Sequence, residues 1–163
     1  MIAVLAAAAL GGDPSVVAIP IGPGARFRPV AKAAAAPTLT CGGGKPLFRV
    51  HLELFAKGKV IVVPAGIGRG NADCVPLTRT TTPGGIVEVS RRGVTLGDLF
   101  RVWGETLSPR RLLSFSGAVR VYVAGRLLTR DPRDVVLTPN AEIVVETGPV
   151  IPPHRFFLFP KGS

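Results

Sequence analysis

Only one stretch of this chain carries a helical period. In TLGDLFRVWG, residues 95–104, Leu96, Leu99, Phe100 and Trp103 recur at i, i+3, i+4 and i+7 and make one apolar stripe. Thr95 stands where an N-cap is needed, and Asp98 three residues on completes a capping-box pattern at the positive end of the helix dipole. Gly104 supplies a left-handed stop. Elsewhere the apolar residues come in short alternating runs cut by 20 glycines and 16 prolines. A chain with one helix and many short strands must lay that helix across a sheet, which places it in the α+β class.

The clearest strand is LFRVHLELF. Phe48, Val50, Leu52 and Leu54 fall on one face, and Arg49, His51 and Glu53 on the other. A turn around Gly58 leads into VIVVPAG, a second strand ending at Pro64, and GGIVEVS is a third. After the helix come AVRVYVAGRLL, with a turn at Ala124 and Gly125, then DVVL and AEIVVET joined by TPNA. This order predicts a β-grasp-like mixed sheet of short strands covered by one helix at about residues 95–104. Residues 1–40 read as a signal-like leader followed by a Pro/Gly/Ala-rich linker, 41–149 as the β-grasp-like domain, and 150–163 as a Pro-rich tail running along the surface.

The opening MIAVLAAAALGG has the size of a signal peptide but no positive residues before it; the expectation is export to the cell envelope or beyond, the alternative a disordered alanine-rich leader on a cytoplasmic chain. No apolar run is long enough to cross a bilayer as a helix. In an exported chain, two cysteines are most simply a disulfide, here Cys41 to Cys74.

The search for chemistry yields little. VVPAGIGRGNADC spaces Gly66, Gly68 and Gly70 like a phosphate loop, yet no helical period follows and no Walker lysine is present. It reads as a strand exit. Ser114 and Ser116 lack a glycine-framed elbow. His51 sits on the polar face of its strand, where a solvent-facing or cross-strand role is expected, and His154 lies in the tail. The acidic residues are dispersed and suggest no carboxylate pair. Cys41, Cys74 and His51 offer at most three metal ligands, none closely spaced. No catalytic residue, cofactor or metal is assigned, and the chain reads as a non-enzyme.

The net charge is +10. If selected for a polyanion, it would be carried by Arg91, Arg92, Arg110, Arg111, Arg126, Arg130 and Arg133, which flank the helix or the later hairpin. These loops lack aromatic residues for stacking bases, which argues against sequence-specific or single-strand nucleic-acid recognition. Binding would be non-specific and strongly weakened by salt.

With these segments in order, the chain resembles an uncharacterised family of small exported bacterial and archaeal proteins. The resemblance rests on HLELFAKGKVIVVPAGIG, Cys74, GGIVEVS, TLGDLFRVWGETL, VRVYVAGRLL and LTPNAEIVVETG, together about residues 41–160. It implies an exported location and makes PAGIG a strand-exit signature. The family pattern carries a histidine cluster on the first strand and a His-Thr-His-Asp segment after the second cysteine. Here only His51 of the first cluster is kept, with Leu47 and Arg49 at neighbouring positions, and Thr78, Arg79, Thr80 and Thr81 replace the second.

The leading expectation is therefore a non-enzymatic binding module at or outside the envelope, its partner an envelope protein or an anionic polymer or surface. The alternatives are a metal-handling or redox protein using Cys41, Cys74 and His51, and a non-specific polyanion-binding protein.

Overall fold

A computed structural model describes residues 41–69 and 74–161. The leader therefore lies outside the described residues. The chain first lays down β1 (Phe48–Ala56), β2 (Lys59–Ile61), β3 (Thr78–Arg79) and β4 (Ile86–Val89). Helix α1 (Leu96–Trp103) follows, then three two-residue strands, β5 (Leu107–Ser108), β6 (Arg111–Leu112) and β7 (Phe115–Ser116). The hairpin β8 (Val119–Val123) and β9 (Arg126–Leu128), a 3-10 turn at Pro132–Asp134 and β10 (Glu142–Thr147) complete it.

The main sheet has the order β3-β4-β1-β10-β8-β9, with β2 also paired to β1. Its central pair, β1 and β10, is parallel, with His51 opposite Glu142 and Glu53 opposite Val144. All its other pairings are antiparallel. Among the described residues the fold is thus α+β, a mixed sheet with one α-helix, and the strands β5, β6 and β7 form a small separate sheet.

The period-two alternation of β1 and β10 decides which residues face the helix. Val50, Leu52, Leu54, Ile143 and Val145 join Leu96, Leu99, Phe100 and Trp103 in the main core. The helix is capped as its sequence requires: the Asp98 backbone N–H donates to Thr95 Oγ1 at 3.2 Å, the Thr95 N–H donates to Asp98 at 2.9 Å, and Gly104 ends it at φ 80°.

Two strand assignments need correction. The second strand stops at Ile61, and 62–64 lie outside any strand. Residues 134–137 are not a strand: Asp134 closes the 3-10 turn, whose Pro132 presets the backbone, and Val136 makes only an isolated bridge to Thr95. The predicted disulfide is present, joining Cys41 and Cys74 across 33 positions. Among the described residues no helix is long and apolar enough to cross a membrane.

Candidate functional site

The sheet face turned away from α1 is polar by sequence, and water would ordinarily cover it. Here the C-terminal tail does so. Phe157 stacks on the His51 ring at 3.9 Å with the planes 9° apart, and Phe159 meets Phe157 edge-on at 4.8 Å. Ile151 packs against Phe55, Val60, Tyr122 and Val144. His51 is accordingly 0% exposed, so of the two expected roles the solvent-facing one fails and the cross-strand one holds, opposite Glu142.

Burial on a polar face forces pairing, and three clusters result. At one side Glu88 accepts from Arg49 at 3.3 Å and from Arg79 at 2.6 Å. At the other, Glu146 accepts from Arg120 at 2.7 Å and Tyr122 at 3.1 Å through Oε1, and from the Ile151 backbone N–H at 2.9 Å through Oε2. Between them, His51 Nδ1 lies 2.7 Å from Glu142 Oε2 and 3.9 Å from Glu53 Oε1. His154 reaches in from the tail, its Nδ1 2.9 Å from both oxygens of Glu53.

This central cluster differs from the two beside it. Glu146 has both oxygens engaged, whereas Glu142 Oε1 is buried without a partner. One donor atom each from His51, Glu53 and Glu142 lies within 4.8 Å of the others, and all three side chains are buried. No carboxylate pair is legible in the sequence because 89 positions separate Glu53 from Glu142; the parallel pairing of β1 with β10 brings them together. His154 and both glutamates were missed on the same ground. The one available signal was polar residues alternating with apolar ones on two strands that pair only through a crossover.

Proton placement in the cluster follows from geometry. His51 Nε2 is 2.8 Å from the Gly84 carbonyl oxygen, which can only accept, so Nε2 carries a hydrogen. Nδ1 thus faces Glu142 across a short bond that holds one proton between them. Burial, followed by the nearby Glu142 charge, pushes the Glu53 carboxyl up to about 7, against a smaller opposing pull from His154 and His51. The Glu53 carboxyl therefore exchanges its proton near neutral pH. His154, whose side chain is 52% exposed, gives it a way to solvent.

Apart from His51, the residues singled out from sequence lie elsewhere. Cys41 and Cys74 are bonded to each other, which removes both from any thiolate ligand set. The glycine-rich turn spends its amides internally: Gly66 N–H donates to the Thr80 carbonyl at 2.8 Å and Ile67 N–H to Thr80 Oγ1 at 3.0 Å. Gly70 lies outside the described residues. The candidate polyanion contacts Arg91, Arg92, Arg110, Arg111, Arg126, Arg130 and Arg133 are all exposed. Arg91 and Arg92 follow β4 and Arg126 opens β9. Arg110 lies in a turn and Arg111 opens β6, both next to the start of β8 at the far end of the sheet, so the seven do not form one surface. Arg133 is held by Asp131 at 2.6 Å.

Comparison with protein-family models, with curated proteins and with solved structures gave no match.

Proposed function

We propose that this protein is a non-enzymatic, exported binding module whose ligand is a first-row divalent metal ion of the zinc type, held by His51, Glu53 and Glu142 with His154 completing the set. The observation that carries the reading is the buried triad of donors with one carboxylate oxygen unpartnered. Two imidazoles and two carboxylates suit zinc and its first-row neighbours better than calcium or magnesium, which prefer all-oxygen sites. The hydrogen bond from His51 Nε2 to Gly84 is the outer-shell contact that orients a histidine for ligation through Nδ1. Metal binding would displace the proton held between His51 and Glu142 together with that of Glu53.

A disulfide at Cys41–Cys74 is compatible with an oxidising compartment and supports export. The strand order, with a helix between two antiparallel pairs and a last strand returning parallel to the first, supports the β-grasp-like reading.

The test is titration of chelator-treated protein with zinc by calorimetry, alongside Glu142→Gln and Glu53→Gln. One equivalent of zinc should bind the wild type, and either substitution should weaken binding by about tenfold or more. Absence of stoichiometric binding, or variants that bind like the wild type, would reduce the cluster to a clamp that fastens the tail.

A further inference from the structure

Beyond the His/Glu centre, the end of the tail and the start of β1 enclose a cleft of about 600 Å³, a size that fits a small ligand. Its charged lining is wholly basic: Lys45, Arg49 and Arg92, with no carboxylate among the lining residues. Phe48 and Phe159 line it as well, both half-buried, so flat apolar surface stands beside the cations. Glu88, the nearest acid to Arg49, is shared between Arg49 and Arg79 and neutralises only one of them. Arg49 Nη2 serves Glu88, while Nη1 is buried with no hydrogen-bond partner. The Arg49 side chain keeps 20% of its surface exposed, so an anion in the cleft can accept from the guanidinium without displacing Glu88.

From these features we infer that the cleft is a second ligand site, for a small carboxylate with an aromatic body. The carboxylate would sit among Arg49, Arg92 and Lys45, and the ring against Phe48 and Phe159. An inorganic anion would satisfy only the first set of contacts, and a neutral aromatic only the second. Desolvation beside the rings strengthens the charge contacts, so this binding survives moderate salt, unlike purely electrostatic attachment.

The probe is 2-naphthoate, with 2-naphthylmethanol and sulfate as controls, titrated into protein by calorimetry at about 0.15 M salt. A chelator is kept present so that the result is independent of the metal reading. The expected outcome is one saturable site with Kd below about 1 mM for naphthoate, and at least tenfold weaker binding of both controls. Lys45 and Arg92 are exposed, so the pair Lys45→Ala/Arg92→Ala should melt like the wild type yet lose about tenfold or more in affinity. Phe159→Ala should weaken naphthoate while leaving sulfate unchanged. Non-saturable binding of naphthoate, equal binding of the neutral alcohol, or unchanged affinity in the double variant would overturn the inference.

Discussion

At the scale of single residues, the molecule is most informative where two similar side chains meet different fates. Glu142 and Glu146 lie on the same face of β10, both almost fully buried, but only Glu146 has both oxygens satisfied. Glu53, in the first strand, is held protonated further up the pH scale than an ordinary carboxyl because burial and Glu142 disfavour its charge. Its pKa rises from 4.5 to about 7 on folding, so between these values the folded chain binds more protons than the unfolded one. In metal-free protein this contribution is fully present below about 4.5 and is lost as pH rises to about 7. Glu53→Gln should flatten that slope, as read from denaturant midpoints across this range; an unchanged slope would assign the proton uptake to another group. Gly85 shows a constraint of a different kind. At φ +91°, a Cβ there would run into the Leu52 carbonyl oxygen, and the adjoining Gly84 carbonyl would leave His51 Nε2. Gly85→Ala should destabilise by about 1–3 kcal/mol, and thermal melting measures it.

At the scale of elements, the helix and the tail cover opposite faces of one sheet by different means. The helix does so with a dense apolar stripe, and Trp103 is only 2% exposed. Trp103→Ala should cost about 3–5 kcal/mol, and a variant melting within a degree or two of wild type would contradict its place in the core. Thr95→Ala, which removes the cap, should cost about 1 kcal/mol. The tail has no regular secondary structure to hold it, so it relies on particular contacts: Ile151 on Glu146, His154 on Glu53, and Phe157 on the His51 ring. Phe157→Ala should expose the imidazole and speed its modification by diethyl pyrocarbonate. Peptide mass spectrometry would report an unchanged rate at His51 if the ring were not the cover.

At the scale of the whole molecule, the disulfide ties the segment before β1 to the segment before β3 across 33 positions. Closing a loop of that length in the unfolded chain is worth about 3–4 kcal/mol in the chain-entropy picture. Cys41→Ser/Cys74→Ser should lower the unfolding free energy by that amount while leaving zinc affinity unchanged, since neither cysteine belongs to the ligand set. A loss of zinc binding in folded double variant would return the cysteines to the site. The basic charge divides over the two ends of the sheet, so attachment to a simple anionic polymer should be weak and fall steeply with salt, a contrast with the cleft at Arg49.

The sequence by itself determined the elements whose cause is local. The helix follows from a period of 3.6 residues with its caps written beside it, the hairpin turns from glycine, and the apolar face of β1 from the alternation of Phe48, Val50, Leu52 and Leu54 with polar residues. It also contained the cysteine pairing, because two cysteines in a small domain leave one intramolecular choice. The weak strands were less legible: β5, β6 and β7 have two residues each, too few to show a period, and Val135, Val136 and Leu137, which follow the 3-10 turn, look apolar enough to pass for a strand. Tertiary structure alone decided the site. A polar face reads as solvated in any one strand, and only the parallel pairing of the first strand with the last sets His51 opposite Glu142. Only the return of the tail over that face then withdraws His51, Glu53 and Glu142 from water and turns ordinary surface residues into a buried, proton-sharing centre.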